Sequence, residues 1–129
     1  MDKKETAVML KHSGCNCAQA VLCAFTEETG LSEEQLMRIG AGFGVGMGCM
    51  EATCGALIAA QILMGLTEFQ GRPLLKAARE LHQAFTDTCG ASLCKDLKGR
   101  DSGVVLCECD DCVRCAVELI EKRAGEKQI

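Results

Sequence analysis

Cysteine is the residue type best able to carry chemistry in this chain, which contains 11 cysteines among 129 residues. They are Cys15, Cys17, Cys23, Cys49, Cys54, Cys89, Cys94, Cys107, Cys109, Cys112 and Cys115. Their number is odd, and the first residues, MDKKETAVMLKHSG, contain no apolar secretory segment. We therefore expect a cytoplasmic protein, because a reducing compartment keeps structural disulfides rare. So many thiols in a reducing compartment indicate metal binding or redox chemistry.

The densest group of cysteines is CECDDCVRC at 107–115, with the spacing C-x-C-x2-C-x2-C. Such short spacing is typical of metal ligands, because neighbouring thiolates can converge on one ion or cluster. On a helix, Cys109 and Cys112 share a face, whereas Cys115 is turned away from the midline of that pair. We predict that at least one of Cys109 and Cys112 is functional and that Cys115 is a small buried side chain.

A second candidate is Cys54 in TCGA, which follows the glycine-rich segment GAGFGVGMG at 40–48. Placed in the first turn of a helix, its thiolate would be stabilised by free N–H groups and the helix dipole. Glycines let backbone N–H groups approach an anionic sulfur or a cofactor closely. The predicted cofactor-binding residues are Gly44, Gly46, Gly48 and Gly55. Alternatively, these glycines only allow helices to pack tightly. The segment matches neither phosphate-binding glycine motif.

The remaining cysteines give weaker signals. Cys15 and Cys17 would point apart on a helix, so they are poor partners for each other. Cys17 faces the apolar side of its helix and is either a packed side chain or a ligand, whereas Cys23 is predicted to be packed. Cys89 and Cys94 could be inert on this evidence.

Composition excludes several classes of function. The net charge is −4, there is no Trp or Tyr, and no basic run occurs, so nucleic-acid binding is not expected. The longest apolar stretch, residues 54–66, is too short to span a bilayer, so direct membrane insertion is not expected either.

The elements that must position the cysteines are predicted to be helical. Apolar residues recur at helical spacing, strand signals are weak, and SEEQ at 32–35 forms a capping-box pattern. The predicted helices cover residues 4–28 (with a kink or break at 12–14), about 32–41, 52–65, 73–88 and 110–124, with a short turn at 92–97. The sequence therefore predicts a single all-α domain over 1–129, a compact bundle of about five helices with a glycine-rich connection.

Five segments occur in an order that resembles the C-GCAxxG-C-C family of redox-active proteins. They are NCAQAV (16–21), GAGFGVGMG (40–48), TCGALIA (53–59), LCKDL (93–97) and the late C-x3-V-x2-AVELI (109–120). Carried over by position, the resemblance implies Cys17, Cys54, Cys94 and either Cys109 or Cys112 as the family cysteines. The closing glycine of the CGAxxG pattern is Ala59 here.

The resemblance implies a redox function, for which we consider three hypotheses. The first is an iron–sulfur cluster held by four of the metal-ligand candidates Cys17, Cys54, Cys94, Cys109 and Cys112, serving electron transfer with an unidentified redox partner protein. A similarity of the family to part of the split-Soret cytochromes favours this hypothesis, although the chain has no C-x-x-C-H haem motif. The alternatives are thiol–disulfide exchange by Cys54 with a resolving cysteine, and a zinc-stabilised interaction module. A homodimer is compatible with all three.

Overall fold

A computed structural model describes residues 2–127, and in this range the chain is all-helical, as predicted. The helices are α1 (Lys3–His12), α2 (Cys17–Cys23), α3 (Thr26–Thr29), α4 (Glu33–Gly40), α5 (Gly55–Glu68), α6 (Leu75–Cys89), α7 (Cys94–Leu97) and α8 (Cys109–Lys127), with a π-type turn at Gly46–Met50 between α4 and α5. Residues 1, 128 and 129 of the predicted domain lie outside the described residues.

The described part of the chain therefore has eight α-helices rather than about five, mainly because the predicted helix over 4–28 is divided. Asn16 caps α2 in a complete capping box with Gln19, so the chain starts a new helix there. Phe25, at φ −121° and ψ 35°, interrupts the helix a second time before α3. Local capping thus overrides the apolar periodicity that runs through the whole segment.

The predicted helix ends are confirmed in part. Ser32 and Gln35 form the expected capping box at the start of α4, and Gly90 ends α6 in the left-handed conformation at φ +96°. Gly65 and Gly125, in contrast, lie inside helices, since α5 continues to Glu68 and α8 to Lys127. A helical glycine costs only about 1 kcal/mol, which tertiary packing readily offsets.

Helix α2 is the centre of the fold. It packs against α1, α4, α5 and α8, and six of its seven residues are buried. Its small side chains, among them Ala18 and Ala20, let neighbouring helices approach closely. The start of α2 therefore lies where several other elements meet.

Helix α8 packs along α1 and α5. Its buried stripe consists of Cys112, Val113, Ala116, Val117 and Ile120, which is the helical spacing of an apolar face. Ion pairs join its exposed edges to the other helices: Arg114–Glu5 at 2.7 Å, Lys4–Glu118 at 2.8 Å, Lys11–Asp110 at 3.1 Å and Arg123–Glu68 at 2.7 Å. These contacts set where the first turn of α8, with its cysteines, lies against α2. None of the helices within residues 2–127 combines the length and apolarity needed to cross a bilayer.

Replacing Gly55 by alanine tests a close packing contact in the bundle. A Cβ at Gly55 would overlap the Phe43 carbonyl oxygen and would lie 2.7 Å from the Cys17 sulfur. We expect Gly55→Ala to lower the free energy of unfolding by about 1–3 kcal/mol through overpacking, measured by denaturant unfolding of the reduced protein.

The matched control is Gly65→Ala in the same helix, where a Cβ meets nothing within 4 Å. This change should raise the free energy of unfolding by roughly 0.5–1 kcal/mol through better helix propensity. Equal effects of the two substitutions would contradict the packing described for Gly55.

Candidate functional site

The four cysteines that the sequence resemblance singles out occupy equivalent places, each at the start of a helix. Cys17, Cys94 and Cys109 are the first residues of α2, α7 and α8, and Cys54 is the N-cap of α5. Helix starts carry free N–H groups, which favour an anionic sulfur. The sequence predicted this placement for Cys54, and its predicted helix over 110–124 put Cys109 immediately before a helix start.

A short backbone pairing brings Cys54 and Cys94 together. Thr53 and Leu93 form an antiparallel bridge, which is isolated within the described residues. The N–H of Cys54 donates to the Ser92 carbonyl at 2.8 Å, and the N–H of Cys94 donates to the Ala52 carbonyl at 3.0 Å. Since side chains alternate along paired strands, Cys54 and Cys94 leave this bridge on the same face.

Cys17 and Cys109 are in direct side-chain contact. The hydrogen bond from the Cys109 thiol is the main reason why the pKa of Cys17 falls to about 6, and the backbone N–H groups of Val45 and Ala18 act in the same direction. The same contact, together with burial, raises the pKa of Cys109 above its ordinary value. In this pair Cys17, on α2, is thus the thiolate, and Cys109 is its hydrogen-bond donor. Gly55, whose missing Cβ leaves room for the Cys17 sulfur, joins the pair to α5.

Cys54 is buried and faces donors of two kinds. The Cys112 thiol makes the largest contribution to lowering its pKa. The N–H groups of Ala56 and Leu57 add to this effect, although the sulfur does not form a hydrogen-bonded helix cap. The negative charge of Cys17 acts in the opposite direction, which places the two sulfurs within electrostatic reach of each other.

Lysines offset part of this negative charge. Lys98 lowers the pKa values of Cys17, Cys94 and Cys109, and Lys11 lowers that of Cys109. For Cys94 the balance still favours the neutral thiol, because burial raises its pKa and the charges of Cys54 and Cys17 add to this effect. The electrostatics therefore place Cys54, Cys94 and Cys109 each within reach of Cys17.

The glycine-rich segment and the residues directly after it lie next to these cysteines and have a strained backbone conformation. Val45, Met47 and Met50 have left-handed φ angles of 53°, 59° and 63°, which is uncommon for non-glycine residues and most unfavourable for a β-branched one. In this conformation the N–H of Val45 is directed at Cys17. Strain of this kind persists only where the surroundings hold it, and it is concentrated at functional sites.

The predicted cofactor-binding glycines have different surroundings. A Cβ at Gly46 would lie 2.7 Å from the Cβ of Cys94, and one at Gly44 would lie 2.5 Å from the Cβ of Asn16. Gly55 lies against Cys17 as described above, whereas Gly48 has open space around it. Close packing therefore accounts for Gly44, Gly46 and Gly55, and binding of a cofactor by their N–H groups stays a prediction.

A second group of thiols adjoins the first and was not predicted from the sequence as a group. The sulfurs of Cys89, Cys107 and Cys112 all lie within 4.8 Å of one another and could hold a metal ion. Cys115 is buried beside them, and its thiol donates to Cys89. From its spacing, the 107–115 motif indicates Cys112 as a candidate ligand and predicts that Cys115 is only a packed side chain. Cys89 comes from the end of α6 and has no local signal.

The two groups meet at the contact between Cys54 and Cys112. Cys112, a metal-ligand candidate from the sequence, therefore borders both groups. Cys15 and Cys23 have partners outside both groups, whereas Cys49 lies within electrostatic reach of Cys94. The Cys15 thiol contacts the Met37 sulfur at 3.6 Å, Cys23 donates to the Glu33 carbonyl at 3.8 Å, and Cys49 is exposed.

The donor set suits a soft metal or an iron–sulfur cluster. Thiolates are the ligands that such centres prefer, and buried thiolates are stable only when a cation or hydrogen-bond donors compensate them. Cys17, Cys54, Cys94, Cys89, Cys112 and Cys115 are buried, and N–H groups and two lysines lie close to the first group. Binding of a thiolate-ligated centre is thus chemically compatible with the residues present.

Comparison with known proteins identifies a family and no individual relative. No curated protein and no solved structure matches the chain significantly. Residues 15–123 match the family described as "Putative redox-active protein (C_GCAxxG_C_C)". The matched region contains the glycine-rich segment and all 11 cysteines. With most of its length matched, the chain belongs to the C_GCAxxG_C_C family.

Proposed function

We propose that the protein binds one iron–sulfur cluster through Cys17, Cys54, Cys94 and Cys109 and transfers electrons to or from a partner redox protein in the cytoplasm. The observation that supports the proposal is that these four cysteines lie at the starts of different helices, with Cys17 in contact with Cys109 and within electrostatic reach of Cys54 and Cys94. Four cysteine thiolates are the usual ligand set of [2Fe–2S] and [4Fe–4S] clusters. Membership of a family described as redox-active supports the same function.

The surroundings of the four thiols favour a centre with delocalised negative charge. N–H groups of Val45, Ala56 and Leu57 are directed at Cys17 and Cys54, and such donors tune the potential of a cluster. When bound, the cluster supplies one-electron chemistry. The chain's own residues hold it, keep water away by burial of Cys17, Cys54 and Cys94, and balance charge through Lys98.

The spacing of the sulfurs favours a cluster over a single zinc ion at these four residues. Among the described residues, the group of ligand atoms found within 4.8 Å of one another is Cys89, Cys107 and Cys112, which contains none of the four. Sulfurs that share one ion must lie close together, whereas a cluster distributes its ligands over several irons. The wider arrangement of Cys17, Cys54, Cys94 and Cys109 therefore suits the cluster better.

Thiol–disulfide exchange is the second candidate function, and the contact between Cys54 and Cys112 favours it. The Cys54 thiolate would attack a substrate disulfide, and the Cys112 thiolate would then displace the reduced substrate, which leaves a Cys54–Cys112 disulfide. Against this candidate, Cys54 is only 5% exposed. An attacking thiol must be reached by its substrate, so burial favours a ligand role for Cys54.

Anaerobic reconstitution with ferrous iron and sulfide tests the cluster. We expect a brown protein that contains both iron and sulfide, measured by visible absorption and chemical analysis. Cys54→Ala should lose most of the absorption because it removes one of four ligands. Cys49→Ala is the matched control, since this exposed cysteine directly follows the glycine-rich segment and is not one of the four proposed ligands. A colourless wild type, or equal cluster contents in the two variants, would disprove the proposal.

Alkylation of the reduced, metal-free protein separates the two candidate functions. Exposed Cys49 should react first with iodoacetamide, and buried Cys54 should react slowly despite its lowered pKa. Peptide mass spectrometry at several pH values gives the rate for each cysteine. Reaction of Cys54 faster than a free thiol at pH 7 would instead support the exchange reaction.

A further inference from the structure

We propose that Cys89, Cys107, Cys112 and Cys115 form a second metal site, which binds one structural zinc ion separately from the four cysteines assigned to the cluster. The two sites would use eight of the 11 cysteines, four in each site. The zinc site is inferred from its own geometry, and only its separation from a cluster depends on the function proposed above.

The compactness of the group points to a single ion. The sulfurs of Cys89, Cys107 and Cys112 lie within 4.8 Å of one another. Tetrahedral zinc binds thiolates at about 2.3 Å, which separates the sulfurs by about 3.8 Å. A small inward movement of side chains is therefore enough to bring the three sulfurs onto one ion. A cluster would require them to move apart.

Cys115 supplies the fourth thiol. It lies three residues after Cys112 on α8, so the two side chains share a face of the helix. It is buried beside Cys89 but lies outside the group of three sulfurs that are within 4.8 Å of one another, so its side chain would turn inward to complete the site. Four ligands and no open position are the features of a structural zinc site.

The environment is closed, as expected for structural zinc. Cys89 is 4% exposed, Cys112 is 2% exposed and Cys115 is 7% exposed, whereas Cys107 is half-buried at the edge. The Cys112 thiol lies against the loop, where it donates to the Cys107 carbonyl at 3.9 Å. Zinc would displace the thiol protons of the ligating cysteines and compensate the resulting thiolates directly.

The site would connect three parts of the fold. Its ligands come from the end of α6, from the loop at 98–108 and from the first turns of α8. Two backbone hydrogen bonds hold the end of the loop. In them the N–H groups of Leu106 and Cys107 donate to the Leu97 carbonyl at 2.9 and 3.4 Å. Zinc on Cys107 would fix the loop two residues before Cys109. The second site would therefore position a ligand of the first.

Metal analysis of anaerobically purified variants tests this assignment. Wild-type protein should contain about one zinc ion per chain. Cys107→Ala, chosen because Cys107 is half-buried and its loss disturbs the core least, should lose zinc. Its zinc affinity should fall by more than the roughly 10–100-fold that outer-shell changes cause. Cys49→Ala is again the control and should keep its zinc.

Cobalt substitution gives a readout that does not depend on the cluster. Metal-free protein titrated with Co²⁺ should develop the visible and thiolate charge-transfer bands of a tetrahedral sulfur site. Cys54→Ala should keep these bands and Cys107→Ala should lose them, with far-ultraviolet circular dichroism confirming that both variants fold. This pattern would support the zinc site even if no variant assembles an iron–sulfur cluster.

Three results would overturn the zinc site. The first is retention of zinc and of the cobalt bands by Cys107→Ala. The second is their loss from Cys54→Ala, which would place the ion among the four cysteines assigned to the cluster and would contradict the proposed function as well. The third is a wild-type protein that holds iron but neither zinc nor cobalt, in which case the zinc site is wrong and the proposed function stands.

Discussion

The fold depends on placing buried sulfur next to hydrogen-bond donors. A thiolate removed from water is costly, and this chain compensates Cys17 and Cys54 with a neighbouring thiol and with N–H groups at helix starts. The central helix α2 brings its first residue to the ends of α5 and α8. The helices pack along their sides, and the starts of α2, α5 and α8 lie near one another at the Cys17 sulfur.

The glycine-rich segment serves this arrangement through space and conformation. Gly55 lets Cys17 approach α5, and Gly46 lets Cys94 approach the strained turn. The left-handed conformation of Val45 is unfavourable for a β-branched side chain, yet it directs an N–H group at Cys17. Close approach of the backbone at these residues therefore allows both tight helix packing and the direction of N–H groups at the sulfurs.

The chain also shows how a family site can be extended by neighbouring residues. Cys112 is one turn beyond Cys109 and contacts Cys54, but its other close neighbours are Cys89 and Cys107. The cysteines of residues 107–115 therefore lie in two different groups, which adjoin each other at the contact between Cys54 and Cys112. A motif that looks continuous in sequence is thus divided by the helix on which it lies, since successive residues face different neighbours.

The sequence by itself determined the helical class, the capping box at Ser32, the end of α6 close to residue 88 and the importance of cysteine, because these depend on local composition, periodicity and capping. Its motifs also indicated Cys17, Cys54, Cys94 and either Cys109 or Cys112 through family resemblance. Only the tertiary structure decided that Cys17 contacts Cys109 and that Cys89 joins Cys107 and Cys112. It also decided that α5 and α8 continue past Gly65 and Gly125. The physical reason is that periodicity identifies the buried face of a helix but not the distant residue that will cover it, which depends on how all the helices pack together.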